Sequence, residues 1–114
     1  MQSDKELLEL AAKAAGIKLT WWNQVPKNTT GADPSMNIYA FPIWNPLTDD
    51  GDALRLAVKL GLHVSQQLSY VAVMQPHGGA GSHRLQWTEQ YNEDPYAATR
   101  RAIVRAAAQI GGTL

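Results

Sequence analysis

The sequence predicts a single α+β domain over residues 1–114, with the element order α-β-β-α-β-β-α. Three stretches have apolar residues at helical spacing and capping residues at their ends. The stretches between them are rich in β-forming residues. Because the strands follow one another in pairs, we expect a four-stranded, mainly antiparallel sheet layered with three helices, an alpha-beta-alpha sandwich.

The first helix is predicted to begin at a capping box that starts with Ser3 and to end at Gly16, which suits the left-handed position of a helix stop. Residues 18–22 follow as the first strand. The segment Asn23–Ser35 contains two prolines and many small polar residues, so we expect a long mobile loop. In residues 36–41 the apolar and polar side chains are compatible with the alternation of a strand, so we predict the second strand there.

The second helix is predicted to begin near Asp49 or Asp50, because carboxylates are favoured at the first turn of a helix. Gly61 is its predicted end. The apolar spacing along this helix predicts that Leu54 and Val58 face the core.

Two further strands are predicted between the second and the last helix. Residues 64–75 read as one long strand, and the apolar run 70–74 within it indicates burial on both faces. A glycine-rich loop follows, and the residues around Leu85 and Trp87 return as the fourth strand.

The last helix is predicted to begin at Asp94, with Pro95 at its first position, and to end at about Ile110. Its apolar stripe consists of Tyr96, Ile103, Ala107 and Ile110. Arg101 and Arg105 fall on the opposite side, where we expect them to face water. The predicted core of the whole domain consists of Leu7, Leu8, Leu54, Val58, Val71, Val73, Trp87, Ile103 and Ile110.

Composition excludes several classes of function. The formal net charge is zero, which argues against bulk electrostatic capture of nucleic acid or of an anionic membrane. The chain has no cysteine, so disulfides, thiolate nucleophiles and thiolate-bound zinc are excluded. No stretch has the roughly 20 apolar residues of a membrane span, and the N-terminus does not resemble a secretory signal. We therefore expect a cytoplasmic protein that needs no cofactor.

Two segments carry a resemblance to a known family. Residues 44–57, WNPLTDDGDALRLA, and residues 98–107, ATRRAIVRAA, resemble a pattern in small uncharacterised phage and prophage proteins, the phage ABA-sandwich family. The resemblance implies a tailed-phage or prophage origin and an alpha-beta-alpha layered fold. It implies no activity, and no catalytic residue is carried over with it.

Two histidines are the candidate metal ligands. His77 and His83 flank a loop with three glycines, and both imidazoles could reach one ion of a metal-assisted hydrolase. Two ligands make a poor zinc site, and the default interpretation is a solvated hairpin loop. The same glycines could bind a phosphate, but they match neither a Walker loop nor a dinucleotide fingerprint.

Two other groups are candidates for contacts with macromolecules. Arg100, Arg101 and Arg105 could form a basic face that contacts phosphates, although solvated helix faces have the same composition. Trp44, between two prolines, is either a lid over the core or an exposed anchor for a partner protein. Nothing in the spacing of serine, histidine and carboxylates assembles a catalytic site.

The interpretation favoured by the sequence is a non-catalytic phage or prophage accessory protein in the host cytoplasm. We expect it to act through contacts with a phage or host protein, and a homodimer is compatible with this. Nucleic-acid binding by the arginines and metal-assisted hydrolysis at His77 and His83 are the alternatives.

Overall fold

A computed structural model describes the chain over residues 2–33, 35–75 and 85–114, with Leu85 described by its backbone alone. Over these residues the fold is α+β. The helices are α1 (Asp4–Ala15), α2 (Asp50–Leu60) and α3 (Pro95–Gly112), with a short 3-10 helix at Ile38–Ala40. The strands are β1 (Leu19–Trp22), β2 (Val25–Asn28), β3 (His63–Gln66), β4 (Tyr70–Gln75) and β5 (Leu85–Gln90). The α+β class is confirmed.

The prediction of one four-stranded sheet is wrong. The described strands form a two-stranded sheet, β1-β2, and a separate three-stranded sheet, β3-β4-β5, and all their pairings are antiparallel. The observed strands differ from the predicted ones in three places: a hairpin lies within the predicted loop, a short 3-10 helix replaces the predicted second strand, and the predicted third strand is a hairpin.

The helices begin and end close to where their capping residues predict. The side chains of Ser3, Asp49 and Asp94 each accept a backbone N–H from the first turn of their helix. Gly16 and Gly61 end α1 and α2 with left-handed φ angles of 71° and 65°. Only α3 continues further than predicted, through Gly112.

A hairpin lies within the segment predicted as a loop. β1 and β2 pair with Trp22 opposite Val25, around a two-residue turn at Asn23 and Gln24. Their φ angles of 52° and 64° are those of a type I′ turn, which matches the twist of a two-stranded sheet. Asn23 is a residue that this turn type favours, but the turn contains no glycine and β2 contains Pro26, so the sequence signal for the hairpin is weak.

The strand predicted at residues 36–41 is wrong. The side chain of Asn37 accepts the backbone N–H of Tyr39 at 3.0 Å and starts the 3-10 helix. Just before it, the carboxylate of Asp33 accepts two 2.9 Å hydrogen bonds from Ser35, one from the backbone and one from the hydroxyl. These bonds lower the pKa of Asp33 and, like the Asn37 bond, favour turns over extended strand.

The strand predicted at residues 64–75 is a second hairpin. It divides into β3 and β4 at a turn in which the N–H of Gln67 donates to the carbonyl of Tyr70 at 2.9 Å. β4 is the central strand of its sheet, between β3 and β5. Its consecutive residues Val71, Ala72 and Val73 are all buried, so the predicted burial of the run 70–74 is confirmed for these three; Tyr70 is exposed and Met74 is half-buried.

α3 is the central helix of the fold. It packs against β4 and β5 and also against α1 and α2. Its buried residues are Ala98, Ala102, Ile103, Val104, Ala106, Ala107, Ala108 and Gly111. α1 runs in the same direction beside it, since Arg101 contacts Asp4 at one end and the Lys13 ammonium donates to the Leu114 carbonyl at the other. A helix with apolar residues on most sides needs neighbours on most sides, and α3 has them.

The predicted core is confirmed in part. Buried as predicted are Leu7, Leu8, Val71, Val73 and Ile103. Trp87 and Ile110 are half-buried. Leu54, Val58 and Tyr96 are exposed, so their predicted burial is wrong. Leu54 and Tyr96 line the same groove, and Val58 is one helical turn beyond Leu54.

Candidate functional site

An apolar groove of about 530 Å³ lies between α2 and the N-terminal half of α3, and we call it the α2–α3 groove. Residues from three elements line it: Asp50, Ala53, Leu54, Ala57, Val64, Gln66, Pro95, Tyr96, Thr99, Arg100 and Ile103. Most of these side chains are apolar, and the polar ones among them lie in hydrogen-bonded pairs. A concave apolar surface of this kind is typical of a contact site.

Large apolar side chains stand exposed along this groove. Leu54 is 65% exposed and Tyr96, on the opposite wall, is 69% exposed. Val58, one helical turn beyond Leu54, is 72% exposed. Scattered single apolar residues on a surface are ordinary, but two large ones on opposite walls of one groove, with a third one helical turn away, mark a contact surface.

The rotation of α2 about its axis explains why Leu54 and Val58 face outward. Apolar residues occupy several sides of this helix, so its periodicity permits more than one buried face. Asp52 decides between them, because its carboxylate is buried and accepts the backbone N–H of Asn45 at 2.9 Å. This bond turns the side of Asp52 and Leu56 inward and leaves Leu54 and Val58 in water.

An ion pair closes one end of the groove. The guanidinium of Arg100 on α3 donates to the carboxylate of Asp50 on α2 at 2.6 Å and to the carbonyl of Leu47 at 2.9 Å. The Arg100 side chain is only 18% exposed. Its contacts therefore hold α2 against α3 and leave little of the guanidinium accessible to a ligand.

A hydrogen-bonded amide holds the side of the groove that β3 forms. The Gln66 amide donates to the Thr99 hydroxyl at 3.0 Å, and the Tyr91 hydroxyl donates to the Gln66 amide oxygen at 2.6 Å. Tyr91 also lies 2.7 Å from the Gln67 carbonyl. The groove is thus held in shape by polar contacts at its margins, and Leu54 and Tyr96 on its walls remain exposed.

The two remaining arginines of the predicted basic face are also paired within the chain. Arg101 contacts Asp4 of α1 at 3.1 Å, and Arg105 contacts Glu89 of β5 at 2.7 Å. The Arg105 guanidinium also lies 5.8 Å from the centre of the Trp87 ring. Like Arg100, each of these arginines binds a carboxylate of a different element, so α3 uses them to fasten its neighbours.

Trp44 is a lid over the core. It is 5% exposed, and its backbone N–H donates to the carbonyl of Pro26 at 2.9 Å. The alternative prediction, an exposed anchor for a partner, does not agree with this burial. Pro46, two residues on, is also fully buried, whereas Ile43 is 58% exposed, so Trp44 and Pro46 are the residues of this segment that cover the core.

The candidate metal ligands His77 and His83 lie outside the described residues. Within the ranges 2–33, 35–75 and 85–114, no group of three or more histidines and carboxylates is arranged to hold a metal ion. The acidic residues singled out for capping do cap: the Asp49 carboxylate accepts the N–H of Asp52 at 2.8 Å, and that of Asp94 accepts the N–H of Ala97 at 3.0 Å.

A second cleft, of about 500 Å³, lies between α1 and the C-terminal half of α3. Leu7, Leu10 and Trp87 form its apolar part, and Arg105 and Gln109 are among its polar residues. Its principal charge, Arg105, is bound to Glu89, so this cleft presents neither a continuous apolar surface nor an available charge.

The α2–α3 groove is the feature that the sequence did not predict. A signal for it existed: Leu54, Val58 and Tyr96 each belong to a helix whose other apolar residues suffice to form a buried face.

None of the helices in the described part of the chain is long and apolar enough to cross a membrane. Comparison with protein-family models, with curated proteins and with solved structures found no match to this chain.

Proposed function

We propose that this protein acts through protein–protein contacts, without catalysis, and that the α2–α3 groove is its contact surface. The observation that carries the proposal is the exposure of Leu54 and Tyr96 on opposite walls of an apolar groove, with Val58 exposed one turn beyond Leu54 on α2. Placing a large apolar side chain in contact with a partner gains about 1.5–3 kcal/mol for each residue that becomes fully buried. A folded chain that leaves three such residues in water retains that free energy for association.

The composition of the groove also suits a protein partner. Aromatic residues are enriched at the centres of protein interfaces and charged residues are depleted there. Tyr96 provides the aromatic side chain, and Asp50 and Arg100 neutralise each other at one end of the groove. A protein surface with a matching apolar ridge would therefore desolvate few unpaired charges.

The resemblance to the phage ABA-sandwich family supports a more specific proposal. It rests on residues 44–57 and 98–107, which include most of α2 and the middle of α3. We infer an accessory protein of a tailed phage or prophage that acts in the host cytoplasm, with a phage or host protein as its partner. The two segments also contribute residues to both walls of the α2–α3 groove.

The test is a comparison of captured proteins between variants of equal stability. Leu54→Glu places a charge in the groove, and Leu68→Glu is the matched control because Leu68 is fully exposed and does not line the groove. We expect immobilised wild-type protein and Leu68→Glu to capture the same partner from lysate of infected host cells, and Leu54→Glu to lose it. Equal capture by all three would show that the groove is not the contact surface.

A further inference from the structure

The outer side of α2 has an exposed apolar stripe. Leu54 and Val58 are one turn apart on this helix and are 65% and 72% exposed. A stripe of two apolar residues has a simple self-complementary arrangement: two such helices cross in opposite directions, and Leu54 of each copy lies against Val58 of the other.

The charges at the ends of α2 favour this antiparallel arrangement. Asp49 and Asp50 stand at its first turn with side chains 57% and 68% exposed. Lys59 in its last turn is exposed. In an antiparallel pair Lys59 of each helix meets the first turn of the other helix, where Asp49 is exposed, and the helix dipoles also oppose. A parallel pair would place like charges together.

The acidic residues have contacts within their own chain, and these leave room for a second cation. Asp50 binds Arg100 at 2.6 Å, and Asp49 lies 3.8 Å from Arg55. More than half of each side chain is nevertheless exposed, and a carboxylate can accept several hydrogen bonds at once. Because the formal net charge of the chain is zero, two copies also experience no overall repulsion.

The available area agrees with a small, reversible dimer. A standard interface buries about 800 Å² on each partner, and Leu54, Val58 and Tyr96 expose roughly half of that between them. The remainder must come from the neighbouring surface of α2 and from the first turns of α3. We therefore expect association in the micromolar range and not an obligate dimer.

We propose that the occupant of this surface is a second copy of the chain, in a two-fold symmetric dimer whose two α2 helices pack antiparallel. The proposal rests on the proposed function, because it names the partner for the same contact surface. In the dimer the Tyr96 ring of each copy borders the apolar contact, and the Asp50–Arg100 ion pair lies at its edge.

Sedimentation velocity from about 1 to about 300 µM covers the range in which small interfaces dissociate. We expect a concentration-dependent shift from monomer to dimer for the wild type and for Leu68→Glu. Leu54→Glu and Val58→Glu should each weaken the dimer at least tenfold, because each buries an uncompensated charge. The proposal is overturned if the wild type is monomeric at the highest concentration. It is also overturned if Leu54→Glu and Val58→Glu dimerise as strongly as the wild type.

Single cysteines test the helix direction directly, since the chain has none of its own. Leu54→Cys and a size-tagged Val58→Cys are oxidised separately and as a mixture. An antiparallel pair predicts that the mixed disulfide forms several times faster than either self-disulfide, because Cα atoms more than about 7 Å apart are not bridged without backbone movement. Faster self-disulfides would indicate parallel helices and contradict the proposal.

Failure of the dimer and failure of the proposed function give different results. If the chain is monomeric but Leu54→Glu still loses a captured partner that Leu68→Glu retains, the groove is a contact surface and the second copy is not its occupant. If the chain is monomeric and capture is the same for all variants, both proposals fail.

Discussion

Gly111 is a position of close approach between α1 and α3, and replacing it with alanine tests the packing of α3. A Cβ atom at this position would lie 1.9 Å from the carbonyl oxygen of Leu10 and 2.8 Å from its carbonyl carbon. Both of these atoms belong to the α1 backbone, so no side-chain rotation relieves the clash. The two helices have to move apart by about 1 Å or more.

The cost of this movement is set by two opposing effects. Forcing an extra methyl into a close-packed contact costs typically about 1–3 kcal/mol, and more where backbone must shift. Replacing glycine with alanine inside a helix returns up to about 1 kcal/mol. We therefore expect Gly111→Ala to lower the free energy of unfolding by about 1–2 kcal/mol, which corresponds to a fall in Tm of roughly 4–10 °C for a domain of this size.

The next residue is the matched control. A Cβ at Gly112 meets no atom within 4 Å, and this glycine also lies in α3. Gly112→Ala should therefore leave the stability unchanged or raise it by up to about 1 kcal/mol. Equilibrium urea unfolding of both variants, followed by circular dichroism, measures the difference. A Gly111→Ala variant as stable as Gly112→Ala would refute the close approach of α1 and α3.

Other contacts in the fold give further expectations. Ile103→Ala should lower the free energy of unfolding in urea by about 2–5 kcal/mol, since Ile103 is 4% exposed. An unchanged urea midpoint would show that this side of α3 does not pack into the core. Arg105→Met should lower the free energy of unfolding by about 1–3 kcal/mol, because it leaves the Glu89 carboxylate without its ion-pair partner. In a double-mutant cycle, adding Glu89→Gln should restore most of this stability. Additive losses in the two single variants would show that the pair does not interact. Asp52→Ala should accelerate amide hydrogen exchange at Asn45, whose N–H loses its acceptor, and an unchanged exchange rate would contradict the role given to Asp52.

The helices could be predicted from the sequence because their ends depend on local chemistry. Ser3, Asp49 and Asp94 cap helices through hydrogen bonds to residues three positions away, and Gly16 and Gly61 stop them through their own backbone angles. None of these interactions depends on tertiary structure. The pattern of residue types therefore contains the information required.

The strands could be predicted less well because their boundaries depend on turns. The hairpin turn at Asn23 and Gln24 adopts positive φ at both positions without glycine, so Asn23 is the one residue type that marks it. The break between β3 and β4 at residues 67–69 has neither glycine nor proline. At residues 36–41 an alternating pattern predicted a strand, and the side chain of Asn37 started a helical turn there.

The candidate site could not be predicted because it depends on which side of a helix faces inward. The apolar residues of α2 permit two rotations, and the buried carboxylate of Asp52 fixes one of them through a contact with Asn45, which lies outside the helix. The same limit applies to the arginines of α3. Their carboxylate partners Asp4, Asp50 and Glu89 lie on three other elements.

Equilibrium unfolding of Leu54→Glu/Val58→Glu tests the central claim, that the outer side of α2 serves contacts and not the core. At a protein concentration too low for association, the free energy of unfolding of the double variant, measured in urea, should equal that of the wild type to within about 0.5 kcal/mol, as expected for surface substitutions. Two charges placed in a true core would instead unfold the domain. A loss of several kcal/mol would show that Leu54 and Val58 belong to the core and that the outer side of α2 is not a contact surface.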